Sequence, residues 1–209
     1  AIEQHFAKLS EAEKQFFADA LAANAASAIT PIEMEDINSP EAVEIATRLA
    51  PDAICLFGTS ILKAPWLEAF PDRIINLHLG LSPYYRGAAT LFWPFHDSRL
   101  ECLGTTIHLA IAKVDAGAIL KRIKPHLEVG DTYYGITTRL IRDSLDQFPS
   151  VAQQYLDGAI TPFAQESYPQ ARVTKKADFN EAALTKALTY VGEGLTPTIL
   201  SAIARSTVC

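Results

Sequence analysis

The chain has 209 residues, with 49% apolar and 20% charged residues, enough to bury one sizeable core without covalent staples. Its formal charge of −6 and pI of about 5.4 argue against a nucleic-acid surface, which ordinarily shows a basic stripe. No apolar run is long enough to span a membrane, and three scattered cysteines (Cys55, Cys102, Cys209) without metal or CxxC spacing read as reduced thiols of a cytoplasmic protein.

In chain order, Leu9 to Ala28 is expected to be helical. Ser10 and Glu13 form a capping-box pattern, and Phe16, Phe17 and Leu21 line an apolar side. Ile29 to Met34 alternates and predicts a short strand. Ser39-Pro40-Glu41 starts a second helix, whose buried stripe is Val43, Ile45, Ala46 and Leu49. Ala53 to Phe57 is a short continuous apolar run, which predicts a strand covered on both faces, and Cys55 within it a small hydrophobe. After Gly58-Thr59-Ser60 come a short helix (Pro65 to Phe70) and a second buried strand (Ile74 to Leu79).

A loop with Pro83, Arg86 and Gly87 follows, then a helix over Ala88 to His96. Thr105 to Ile111 and Ala118 to Ile123 read as strands around the turn Val114-Asp115-Ala116-Gly117. Asp131 is placed as N-cap of a long helix through Phe148. The remainder holds a strand candidate at Arg172 to Thr174, a helix from about Asn180 to Val191, and a loose tail. This alternation predicts an α/β, Rossmann-like fold with a mostly parallel, twisted sheet flanked by helices. One domain is expected over 1–209, with a core at about 29–160 and a C-terminal strand and helix extension at about 161–209. No opening strand with a glycine-rich turn is read: either the fold does not need it or the chain begins late, and if the first strand is absent the sheet has an exposed edge.

Two polar residues break the second strand. Asn76 and His78 are two apart, so they share a face near the strand's carboxyl end, where such sheets place ligands. Asp115 reaches the same space if the two strands are neighbours. The amide can donate to a developing oxyanion, the imidazole can donate a hydrogen bond or proton, and a nearby carboxylate would raise the imidazole pKa and hold a water. No Ser or Cys nucleophile stands in obvious partnership, so direct attack of an amine on a carbonyl fits better than a covalent intermediate. The plain alternatives are a structural Asn–His pair, a turn-forming aspartate and an exposed loop arginine. A metal site from His78, His108 and Asp115 lacks a short His spacing, and no metal is expected; His108 itself reads as a packed or surface strand residue.

Ile75-Asn76-Leu77-His78, then Pro83-Tyr84-Tyr85-Arg86-Gly87-Ala88, then Val114-Asp115-Ala116-Gly117-Ala118-Ile119-Leu120 resembles the formyltransferase family that uses 10-formyltetrahydrofolate. The order matches, and the Asn76 to Asp115 separation of 39 fits. Phe57 to Leu62 resembles the family's folate-side segment. The resemblance, over roughly residues 30 to 160, implies that Asn76 and His78 stabilise the tetrahedral oxyanion. Asp115 would then orient a water and keep His78 charged. Ser60, Ile61 and Leu62, with Lys113 and Val114, would line the pterin pocket. Arg86 and Gly87 would meet the acceptor. Gly80 stands where the family often has a serine, which removes a hydroxyl and would loosen the loop. The Arg-Gly-Ala…Phe-Trp segment resembles the sugar-nucleotide and methionyl-tRNA branches more than the purine branch, and the acidic pI and the short segment after residue 160 speak against tRNA; the expected acceptor is a small-molecule amine, an amino sugar nucleotide. The open alternatives are a hydrolase releasing formate, a methionyl-tRNA formyltransferase and a non-catalytic folate-binding module. A homodimer through the free edge is a further expectation.

Overall fold

In a computed structural model, the structure describes residues 1–24, 36–206 and 209. The strand expected at Ile29 to Met34 lies outside them. Among the described residues four strands form the central sheet: β1 (Ile54–Phe57), β2 (Ile74–His78), β4 (Thr105–Leu109) and β5 (Ile119–Ile123), in the order β1-β2-β4-β5. Only β1 and β2 are parallel; β2–β4 and β4–β5 are antiparallel. The expected mostly parallel sheet is therefore corrected to a mixed one. The helix α4 (Ala64–Ala69) lies between β1 and β2 and carries the chain back for a parallel return. From β4 to β5 there is only a turn, which cannot make a parallel crossover.

Strand parity sorts the two faces. Ile75, Leu77, Ile107 and Leu109 point into the main core beneath α6 (Tyr133–Leu156), with Ile136, Leu140, Phe148 and Val151. Ile74 faces the other way, into a smaller core with Ala42, Leu62, Trp66 and Phe70, built by α4 and α3 (Pro40–Leu49). Ser39 caps α3 as expected, its hydroxyl accepting from Ala42 N–H at 3.2 Å. This second layer is short. It covers Ile54, Leu56 and Ile74 but leaves the rest of that face to loops.

Among the described residues β1 is the edge strand of the sheet, and its burial follows from that. Ile54 and Leu56 are half-buried, whereas Cys55 and Phe57 are exposed, so the strand is not covered on both faces and Cys55 is no core hydrophobe. At the N-terminus, α1 (Ile2–Phe16) begins seven residues before the expected start. Glu, Gln, Ala and Lys run through it without a breaker, so Ser10 and Glu13 lie inside the helix, not at a cap. His5 is buried on this helix, its Nδ1 3.0 Å from the Tyr134 hydroxyl of α6. A shorter α2 (Ala18–Asn24) follows.

Thr132, not Asp131, caps α6, accepting from Gly135 N–H at 3.2 Å; Asp131 is drawn instead to Arg139, 2.6 Å away. The helix expected over 88–96 shrinks to α5 (Trp93–His96). Ala89 takes a left-handed φ of 56°, and the Thr90 hydroxyl donates to Leu79 O, so the first half is a tight loop. Within the loop before it, Tyr85–Gly87 forms β3, which pairs in parallel with β6 (Arg172–Thr174). The C-terminal extension thus stitches onto the central loop. The helix α7 (Glu181–Val191), capped by Asn180 as expected, adds Ala183, Leu184, Ala187 and Val191 to the main core. The tail is helical as well, as α8 (Pro197–Arg205). Cys102 and Cys209 are joined as a disulfide with Cα atoms 5.2 Å apart, which corrects the expectation of three reduced thiols.

Candidate active site

On the sheet face beyond the reach of α3 and α4, the register sets polar side chains next to each other. Asn76 lies opposite His108, and His78 opposite Thr106. This explains the interrupted strand: Ile74 is under the helices, while Asn76 and His78 lie under loops whose polar groups can satisfy them. The Asn76 side-chain N–H donates to His108 Nε2 at 3.2 Å. His108 Nδ1 donates to Leu109 O at 2.8 Å, which leaves Nε2 free to accept. Among the described residues nothing takes the second Asn76 N–H.

The loop after β4 folds Asp115 over this face. Its backbone has a left-handed φ of 49°. Gly117, two residues on, lies so close to Leu109 O that no side chain could fit there. Asp115 Oδ2 is 3.4 Å from His78 Nδ1, and Oδ1 is 3.7 Å from His108 Nε2. Gly87 donates its N–H to Oδ2 at 2.9 Å. On its other side, His78 Nε2 donates to Tyr85 O at 3.0 Å. Asn76, His78 and Asp115 therefore do converge, and His108 joins them.

Charge follows from this packing. Burial works against ionising Asp115, but His108, the His78 charge and the Gly87 N–H outweigh it and hold the carboxyl below its usual range. For His78 burial leads in the other direction and lowers its pKa; Asp115 and the Tyr85 carbonyl pull it up, while His108 and Arg86 push it down. The expectation that Asp115 lifts this imidazole above its free value is thus corrected, because a ring only 6% exposed loses more hydration than one carboxylate returns.

A stability prediction follows with a definite sign. A histidine whose folded pKa is depressed binds its proton more readily when unfolded. Its contribution is full above the unfolded value of 6.5 and is lost as pH falls through the folded value. His5, also depressed by burial, acts in the same direction. Urea unfolding of the wild type should show falling stability from pH 7 to pH 5, with a shallower fall in His78→Gln. A steeper fall in the variant would contradict the dominance of burial at this ring.

Arg86 flanks the cluster. Among the described residues it makes no salt bridge, and its buried Nε has no partner. Gly87 approaches Thr174 O too closely for a Cβ and spends its N–H on Asp115. The segments expected around the pterin differ in exposure: Leu62 is buried, while Ser60, Ile61, Lys113 and Val114 are exposed. Asn38 pins the first of them, donating to Ile61 O at 3.1 Å and accepting from Lys63 N–H at 2.8 Å. A separate cavity of about 520 Å³ opens among Trp93, His96, Arg172 and Lys186 and shares no residue with the cluster. Its strongest groups are spent on each other: Arg172 stacks over Trp93 at 3.8 Å and donates to Asp97 at 2.6 Å.

His108 is the site residue that sequence alone reads as packing or surface. Its signal is parity: it alternates with Thr106 on the same face of β4, and only the register with β2 shows that this face is Asn76's.

A mixed α/β sheet with an amide, two imidazoles and a carboxylate gathered on one face is the frame of a group-transfer enzyme acting at a carbonyl. A family model described as formyl transferase matches residues 7–139, and the chain belongs to that family. Its fold is similar to that of several solved structures. One is the formyltransferase PseJ from Anoxybacillus kamchatkensis, in complex with UDP-4,6-dideoxy-4-formamido-L-AltNAc and tetrahydrofolate; identity is 23%, with 78% of this chain and 82% of that chain covered and a TM-score of 0.58. Another is an N-formyltransferase from Helicobacter canadensis with folinic acid and dTDP-3-aminofucose, at 22% identity, 60% and 45% coverage and a TM-score of 0.52. A third is glycinamide ribonucleotide transformylase 1 from Symbiobacterium toebii, at 26% identity, 60% and 62% coverage and a TM-score of 0.53.

Proposed function

We propose that the chain transfers a formyl group from 10-formyltetrahydrofolate to the amine of an amino sugar nucleotide. The observation that carries this reading is Asp115 wedged between His78 and His108, beside an Asn76 amide with an N–H to spare. Two of the structural neighbours hold a folate together with a sugar nucleotide, which favours that acceptor over the purine precursor.

The chemistry runs as one addition and one elimination. The amine lone pair attacks the formyl carbon, a C–N bond forms, and the carbonyl electrons move to oxygen. The free Asn76 N–H and His78 stabilise that oxyanion. Asp115, ionised, takes up the proton that the amine loses and passes it through a held water to the folate nitrogen as the old C–N bond breaks. The products are a formamide and tetrahydrofolate.

In this reading Ile61, Leu62 and Val114 supply the pterin's apolar floor, Ser60 and Lys113 its polar edge, and Arg86 and Gly87 the acceptor side. The unpartnered Arg86 Nε suits a phosphate oxygen. Residues 1–209 act as one unit, since α7 completes the core beneath the site. The edge of β1, unpaired among the described residues, fits a homodimer, which light scattering would detect. A cytoplasmic setting accords with the few thiols, although the Cys102–Cys209 pair pulls against it. No helix among the described residues is long and apolar enough to cross a membrane.

Incubation with 10-formyltetrahydrofolate and a panel of amines tests the proposal. Release of tetrahydrofolate should depend on a UDP- or dTDP-amino sugar. Release without any acceptor would indicate a hydrolase, and release only with glycinamide ribonucleotide or charged tRNA would overturn the acceptor.

A further inference from the structure

The C-terminal extension, read from sequence as an appendage, reaches the turn that carries Asp115. Phe163 pairs with β5: Ile119 N–H donates to Phe163 O at 2.8 Å, and Phe163 N–H to Ile119 O at 3.0 Å. Arg122 lies over the Phe163 ring at 5.5 Å while donating to Ser82 O at 2.9 Å, which ties this segment to the loop after β2. Two residues on, the Gln165 amide nitrogen forks between two carbonyls, Asp115 O at 2.8 Å and Gly117 O at 2.9 Å. Its Oε1 is buried with no partner. A buried amide oxygen left unbonded is costly, so the orientation is set by the two carbonyls.

These carbonyls belong to the turn in which Asp115 holds a left-handed backbone. Gly117 is pressed onto Leu109 O on one side, and Gln165 grips the turn from the other. Among the described residues the Asp115 side chain itself meets only the Gly87 N–H and the imidazoles. We propose that Gln165 is a positioning residue: it sets the Asp115 carboxylate against His78 by fixing two peptide units of the turn, the one that begins at the Asp115 carbonyl and the one that begins at the Gly117 carbonyl. The inference rests on the reading of Asp115 given above and adds that the extension is part of the catalytic apparatus.

A Gln165 that merely held the extension in place would leave the carboxylate undisturbed, so the test must read the carboxylate. The His78 ring can be titrated by ¹³C-edited NMR in the wild type, Gln165→Met and Asp115→Asn. Met keeps the length and packing of the side chain but removes the donor. The groups facing His78 are Asp115, His108, Arg86 and the Tyr85 carbonyl. Of the charged ones only Asp115 raises its pKa, so displacing that carboxylate lowers the midpoint. Gln165→Met should move the midpoint down, in the direction of Asp115→Asn, and lower kcat about tenfold or more with the folate KM nearly unchanged. A midpoint that stays at the wild-type value while Asp115→Asn shifts it would overturn the proposal. If the wild type formylates no amine, the functional reading fails, and the imidazole titration alone still decides whether Gln165 positions Asp115.

Discussion

Replacing Asp115 by Asn should slow formyl transfer by at least about a hundredfold, the usual contribution of a positioned acid–base group. Among the described residues no other carboxylate touches His78 or His108, so no neighbour can stand in. Asparagine keeps the shape of the side chain and can still accept from Gly87 N–H, so the turn should survive. Folate affinity should stay within about twofold, because the expected pterin contacts are the side chains of Ile61, Leu62 and Val114, none of which the substitution alters. Steady-state kinetics with a parallel folate titration would separate the two effects. A rate within threefold of wild type would remove Asp115 from the mechanism.

The second large effect is expected at Gly80. A Cβ there would land on His78 Nε2 and would lie 2.7 Å from both Thr90 Cβ and Tyr85 O. None of these atoms can retreat easily: Thr90 is tied to Leu79 O, and Tyr85 O accepts from His78. Gly80→Ala should therefore cost roughly 1–3 kcal/mol of stability, as overpacking of a buried site generally does. It should also displace His78 from Tyr85 O and so depress kcat strongly. Urea unfolding and kinetics on the same preparation would show both losses together. Unchanged stability would mean that the loop has slack. From sequence the glycine reads as a loosened loop lacking a hydroxyl. The structure gives it the opposite character, since the missing Cβ is what lets the loop close onto the imidazole.

The contrast at Gly80 illustrates which features can be read in advance. Asn76, His78 and Asp115 are legible because polar residues interrupting an apolar strand at a spacing of two must share a face, and a loop aspartate with the right separation can reach it. The helix at Pro40 is legible from its Ser39-Pro40-Glu41 start, and those at Ala64 and Glu181 are legible in outline without a cap being read. Strand direction is not: nothing within Thr105–Leu109 distinguishes a parallel from an antiparallel neighbour; the short link to β5 decides that pairing, whereas the long link from β2 leaves its direction open. His108 is hidden for the same reason, since its value depends on a partner 32 residues earlier. Gln165 is less visible still. It sits in an irregular stretch with no periodicity, and its importance comes from two backbone carbonyls that no residue pattern reveals.

In the proposed mechanism the four polar residues form one reaction centre for a formyl group. A crystal structure with 5-formyltetrahydrofolate, a stable analogue of the formyl donor, tests this most directly. The formyl carbon is expected within about 3–4 Å of the Asn76 amide and of the His78 and Asp115 side chains, the range of a near-attack geometry. The pterin should lie against Leu62 and Val114. A folate bound at the cavity beside Trp93 and Arg172, with its formyl group remote from Asn76, would contradict the mechanism.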